Sequence, residues 1–152
     1  SEMCIRDSTL IVRTAWLYGA HGPNFAKTMR RLAAERETVA VVVDQVGQPT
    51  WTLDLAHRIV EMLDADAPVG IYHATSSGQA SWFDFARAVF AEAGLDPERI
   101  TPTDSASFVR PAPRPAYSVL AHDAWATAGL RPMRDWREAL AEASGAGATQ
   151  PD

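Results

Sequence analysis

The sequence predicts an α/β fold with parallel strand pairing, on three observations. Leu10-Ile11-Val12 is a short, unbroken apolar run, as expected of a strand covered on both faces, Val39–Val43 is a second, β-branched run, and Gly70–Ala74 reads as a third strand. Stretches of helical periodicity, ten residues or longer, separate them. Glycine or proline punctuates most of the boundaries. Only three such runs stand out, so the sheet they form is small for a free-standing doubly wound domain and is expected to continue a sheet begun elsewhere.

Taken in order, the first run leads into Arg13–Gly19, and Pro23 after Gly22 marks a helix start. Phe25, Met29, Leu32 and Ala33 then recur at helical spacing, with Lys27, Arg30 and Arg31 opposite. The second run ends at Gln48-Pro49-Thr50, and a helix with Leu55, Ile59, Met62 and Leu63 turned inward is expected after it. Ala67-Pro68 precedes the third run. Ser81 with Asp84 three residues on reads as a capping box opening a helix whose inner face is Trp82, Phe85, Ala86, Val89, Phe90 and Ala93. Gly94 is its natural stop, with Asp96-Pro97 beyond. Residues 101–117 are proline-rich and read as a loop. Two shorter helices are expected at about 121–128 and 134–144. The small, polar stretch from Gly145 to Asp152 is expected to be disordered.

The composition narrows the function classes. The 152 residues are 47% hydrophobic and 22% charged, the profile of a globular chain of one-domain size. A net charge of −5, with no basic run beyond Arg30-Arg31, argues against a nucleic-acid polymer as partner. No segment approaches the ~20 apolar residues of a membrane span, so no membrane is expected as partner either. The start, SEMCIRDS, lacks the apolar stretch of a secretory signal, and a cytoplasmic location is expected. Cys4 is the only cysteine and cannot form an intramolecular disulfide.

No complete catalytic constellation is present. A glycine-rich dinucleotide cradle and a phosphate-binding P-loop are both missing. His21, His57, His73 and His122 lack metal-ligand spacing. Asp64 and Asp66 sit at a helix end and read as solvated. What remains are polar and aromatic residues at strand ends, where α/β proteins place ligands. Trp16 and Tyr18, just after the first strand, either stack on a base or sugar or pack beneath the loop. Asp44–Thr50 leaves the second strand similarly, its Gly47 and Pro49 explained as turn residues. Arg110 and Arg114 either grip a phosphate or are ordinary surface arginines. Trp82, Trp125 and Trp136 lie at helical spacing and read as core.

Together the segments RTAWLYG, NFAKTMRRLAAER, VVVDQVGQPTWTLDLA, GIYHATSSGQASWFDFA and RPAYSVL, followed by Trp136, resemble one family. Their order over residues 9–143 is that of the C-terminal half of the dTDP-4-dehydrorhamnose reductases, extended short-chain dehydrogenase/reductases. The resemblance implies the C-terminal part of a Rossmann-like protein with its small substrate-binding domain over residues 9–144, a start unlike the family at 1–8, and the disordered tail at 145–152. It also implies NADPH- or NADH-dependent reduction of dTDP-4-dehydro-L-rhamnose to dTDP-L-rhamnose, with hydride from the nicotinamide and a proton from the tyrosine of a Tyr-x-x-x-Lys pair.

That pair is not in this sequence. Tyr18, Tyr72 and Tyr117 are followed four residues later by Gly22, Ser76 and Ala121, and the single lysine, Lys27, has Pro23 four residues before it. The pair and the glycine-rich cradle are therefore expected upstream of Thr9, and this chain is expected to supply the nucleotide-sugar site and to be inactive alone. By position in the family's motifs, Trp16 meets the sugar, Thr14 passes the nicotinamide, and Asn24, Gln45 and Arg114 face the nucleotide-sugar cleft. The family also allows a homodimer of the full-length protein with Mg2+ at the contact, although no glutamates here match that site. Two other readings stand beside the reductase: a non-catalytic module resembling the regulatory subunit of methionine adenosyltransferase, and an independent α/β domain with its own ligand.

Overall fold

A computed structural model describes residues 9–107, 112 and 114–151. The expectations attached to residues 1–8, Arg110 and Asp152 fall outside that set. Thirteen regular elements follow one another: β1 (Leu10–Arg13), β2 (Leu17–Tyr18), α1 (Phe25–Glu35), β3 (Val39–Val42), β4 (Val46–Gly47), β5 (Thr50–Trp51), α2 (Thr52–Asp64), β6 (Gly70–His73), β7 (Ala80–Ser81), α3 (Trp82–Glu92), β8 (Ile100–Thr103), α4 (Asp123–Thr127) and α5 (Trp136–Gly145). Three strand pairs are parallel: β1 with β6, β2 with β5, and β3 with β8. The fourth, β4 with β7, is antiparallel, and Tyr117 bridges to Val46 on its other edge. The expected α/β class and parallel pairing therefore hold. The extra strands are pairs of two to four residues inside segments that composition alone marks as loops.

Local chemistry sets the helix ends. Asn24 caps α1 by accepting the Lys27 N–H at 3.1 Å. The far end of α1 is closed by Arg99, whose guanidinium donates to the carbonyls of Ala33, Arg36 and Glu37 at 2.7–2.8 Å while lying over the Phe90 ring. The Ser81–Asp84 capping box forms as expected, with both reciprocal bonds at 3.0 Å. Gly94 takes φ +70, and Leu95 N–H closes back on the Phe90 carbonyl at 2.9 Å.

Two apolar clusters form the core. The larger gathers Tyr18, Met29, Trp51, Phe85, Phe90, Trp136 and Leu140 around α3. The smaller gathers Met62, Tyr72, Ala74, Trp125 and Met133, with Leu10, Val12 and Leu55 packed against it. Arg134 stands between them. Its guanidinium pairs in a bidentate manner with Asp54 at 2.8 Å, contacts Glu142, and lies over the Trp51 ring.

Two expectations are corrected. Within α2 only Met62 is fully buried. Leu63 and Ile59 are exposed, as are Leu53 and Val60, with Leu63 at 61%. Periodicity reports an apolar stripe and not which part of it a neighbour covers. The tail is also ordered through residue 151: Ala148 and Thr149 are buried, Gly147 turns the chain at φ +76, and Arg30 donates to Thr149 Oγ1 at 3.1 Å. Small residues suit this close return, and their composition imitates that of a mobile end.

Replacing Arg134 by Leu strands the Asp54 carboxylate, whose side chain is only 14% exposed. A loss of about 1–3 kcal/mol is expected in denaturant unfolding of the protein, against a change within about 0.5 kcal/mol for the exposed Arg31→Ala.

Candidate functional site

Parallel strands β1 and β6 end side by side, Arg13 opposite His73, and the chain leaves both toward the same edge. Beyond β1 lie Thr14, Ala15 and Trp16; beyond β6 lie Ala74, Thr75 and Ser76. Thr14 Oγ1 is buried and has no hydrogen-bond partner among the described residues, as is true of Ser76 Oγ and Tyr18 Oη. Burial holds the Tyr18 phenol well above its usual range, reinforced by the Asp54 carboxylate and opposed by Arg134. It is a neutral phenol throughout the accessible pH range.

Trp16 has φ +51, one of two non-glycine residues with positive φ among those described. That region costs a residue with a Cβ about 1 kcal/mol or more. Its indole stacks on Trp82, with ring centroids 3.5 Å apart and planes 6° from parallel. Gly47 lies directly against the same ring, since a Cβ there would come within 2.4 Å of Cε2. The Trp16 carbonyl accepts the Thr50 N–H at 3.1 Å. Trp82 is in turn braced by Phe25 at 4.5 Å. The indole is thus clamped and remains partly exposed.

The other expected site residues fall around this clamp. The Gln45 carbonyl accepts the Trp82 N–H at 3.3 Å, and its side-chain amide donates to Ser105 Oγ at 2.8 Å. Neighbouring Asp44 accepts from the Ser105 N–H and Oγ, and these bonds hold its carboxyl below the ordinary carboxylate range. Asn24 is engaged with its own chain: Oδ1 caps α1 and Nδ2 donates to the Gly19 carbonyl at 2.9 Å. Arg114 is exposed, two residues before the Ala116 carbonyl that accepts the Val46 N–H. Gln45 is therefore linked to Trp16 through Trp82, and Thr50 through the Trp16 carbonyl; Asn24 shapes the preceding loop, and Arg114 precedes the segment that bonds to Val46.

Sequence reasoning missed three features. Trp82 reads as core because it is in phase with Phe85 and Phe90. Gly47 reads as a turn residue, whereas its missing Cβ makes room for the indole. The third is a polar knot. Gln48 Oε1 accepts from Leu120 N–H at 2.8 Å and from Thr75 Oγ1 at 2.9 Å, while its amide donates to the Leu120 carbonyl at 3.3 Å. Thr75 has one proton and gives it to Gln48, so His122 Nε2, 2.8 Å away, is the donor to Thr75 Oγ1. Burial, then proximity to His73, pushes the His122 pKa down against a weaker pull from Asp123. Among the described residues no group of three or more His, Cys, Asp or Glu is placed to hold a metal ion, and no helix is long and apolar enough to cross a membrane.

Because the folded-state pKa of His122 lies below its ordinary 6.5, the unfolded chain takes up the proton first. The stability contributed by the neutral ring is complete above 6.5 and declines as the pH falls through that value. Thermal melts on both sides of it should show this loss, and His122→Gln should flatten it.

The RmlD substrate binding domain family matches residues 2–147. A dTDP-4-dehydrorhamnose reductase of Streptomyces griseus is 54% identical over 140 residues, covering 90% of this chain and 46% of its own length. A dTDP-4-keto-6-deoxy-D-glucose reductase of Streptomyces niveus is 53% identical over 137 residues, covering 90% and 47%. Among solved structures, the dTDP-4-dehydrorhamnose reductase of Bacillus anthracis in complex with NADP superposes with a TM-score of 0.83 at 40% identity, covering 88% of this chain and 47% of that one. The chain spans about half the length of the relatives it matches.

Proposed function

This chain belongs to the RmlD substrate binding domain family, and from that premise we propose that it forms the sugar-nucleotide side of a cytoplasmic dTDP-4-dehydrorhamnose reductase. The clamped, partly exposed indole of Trp16 at the end of parallel strand β1 is the observation that carries the reading. An aromatic side chain held rigid, with part of its ring left exposed, suits contact with the apolar side of a deoxysugar, because little side-chain entropy is left to lose on binding. The exposed guanidinium of Arg114 supplies charge and paired donors for a diphosphate. Gln45 frames the same cleft, and Asn24 fixes the loop that enters it.

NADPH or NADH, when bound, supplies the hydride that reduces the C4 ketone. In this chain the buried hydroxyl of Thr14, without a partner among the described residues, is the group fitted to meet the nicotinamide end. The proton donor and the glycine-rich cradle belong to the half of the enzyme preceding this segment. The exposed apolar side chains of α2 and of Ile11 and Ile71 on the β1–β6 pair suit contact with that half. Among the described residues no group of three or more His, Cys, Asp or Glu is placed to hold the Mg2+ that the family resemblance implies, and the full-length enzyme is proposed to form a homodimer.

In the full-length enzyme, NADPH oxidation with dTDP-4-dehydro-L-rhamnose should be measurable, and Trp16→Ala should raise KM roughly ten-fold, the scale of one lost aromatic contact. Unchanged KM would reduce Trp16 to a packing residue. The Streptomyces niveus relative favours a second substrate, dTDP-4-keto-6-deoxy-D-glucose, and the ratio of kcat/KM for the two ketones decides between them. The 152-residue chain by itself should oxidise neither NADH nor NADPH with either sugar, and turnover by it would overturn the assignment of the proton donor to the other half.

A further inference from the structure

Trp16 is held in a costly backbone conformation, and the two groups against its ring are Trp82 and Gly47. We infer that Trp82 and Gly47 are positioning residues for sugar recognition, acting through the Trp16 indole; the inference rests on the proposed role of Trp16. Trp82 sits at the first position of α3, where the Ser81–Asp84 capping box fixes the helix start and the Gln45 carbonyl takes its backbone N–H. Its ring lies between Phe25, at 4.5 Å, and Trp16, at 3.5 Å, so it relays the rigidity of the α1–α3 core to the strand-end loop. Gly47 confines the indole from β4. A Cβ at that position would stand 2.4 Å from Cε2, 2.6 Å from Cζ2 and 2.7 Å from Nε1, all of them atoms of Trp16.

The positive φ of Trp16 makes this arrangement consequential. A left-handed residue in a loop keeps its conformation only when the surroundings over-determine it. The stack on Trp82, the contact with Gly47 and the Thr50 N–H on the Trp16 carbonyl provide that over-determination. Remove the stack and the loop relaxes toward negative φ, carrying the indole away. The part of the indole that Trp82 and Gly47 leave exposed suits the apolar side of a deoxyhexose and not the nucleotide, whose charged diphosphate suits other groups. Trp82 and Gly47 should accordingly affect sugar binding while leaving nucleotide binding intact.

The test is carried out in the full-length enzyme, with dTDP-L-rhamnose and dTDP titrated separately by calorimetry. Trp82→Leu should weaken dTDP-L-rhamnose roughly ten-fold, the scale of one lost aromatic contact, with dTDP unchanged, and Trp82→Phe should recover part of the loss. The far-ultraviolet exciton couplet of the stacked indoles should vanish in Trp82→Leu and in Trp16→Ala alike. Gly47→Ala reaches the ring without altering the α3 core and should reproduce the selective loss. In a Trp16→Ala background it should cost nothing further, because the atoms it would strike are gone. Equal weakening of both ligands by Trp82→Leu, or an unchanged penalty from Gly47→Ala after Trp16→Ala, would overturn the inference. If the unsubstituted enzyme does not distinguish dTDP-L-rhamnose from dTDP, the role of Trp16 itself fails. If it does distinguish them and Trp82→Leu distinguishes them equally well, only the positioning role fails.

Discussion

Arg134 joins parts of the chain that would otherwise share little. Its guanidinium is planar and charged at every accessible pH, and the Asp54 and Glu142 carboxylates push its proton affinity higher still. With Asp54 it ties the first turn of α2 to the C-terminal region, with Glu142 it reaches α5, and its plane covers Trp51 at the edge of the larger apolar cluster. Its backbone carbonyl accepts the Ser77 N–H, anchoring the loop that leaves β6. A lysine could not reproduce the paired bonds to Asp54, which need a flat fork of donors.

The two clusters that Arg134 joins differ in how they serve the site. The α3 cluster is aromatic and closed, and the clamp on Trp16 grows out of it through Phe25 and Trp82. The β1–β6 cluster is thinner, covered on one side by Met62 and Trp125 and open on the other at Ile11 and Ile71. The knot of Gln48, Thr75, Leu120 and His122 fixes where the strand ends meet the C-terminal segment by satisfying polar groups that neither cluster can solvate. The clamp and the knot thus lie at the edge where β1 and β6 end, and the open face lies elsewhere.

Much of this was legible in the sequence where the determinants are local. The Ser81–Asp84 box, the Gly94 stop and strands β1, β3 and β6 are written in residues within a few positions of one another, whereas β8, equally long, lies largely in the proline-rich stretch that reads as a loop. Trp16 was legible as a candidate because it directly follows a strand. The rest depends on partners distant in sequence. Gly47 exists as a glycine because of an indole thirty-one residues earlier, and Trp82 packs against the core as its phase predicts while its ring also meets Trp16. Ile59 and Leu63 obey helical periodicity, but exposure is set by what lies opposite, which periodicity does not record. Ala148 and Thr149 have the composition of an unfolded end, and their burial with the bond from distant Arg30 makes them structural.

The registers of the parallel pairs carry a consequence for how the chain comes to be folded. Leu10 lies opposite Gly70 and Val39 opposite Ile100, so each of these pairs closes a loop of roughly sixty residues before a ladder bond can form. The two loops overlap along the sequence, so neither can be completed as an isolated folding unit before the other has begun. During synthesis β1 cannot pair with β6 until β6 has left the ribosome, and β3 waits in the same way for β8. Closure entropy spent early and recovered late makes for slow, concerted folding, in which half-made chains display bare strand edges to one another.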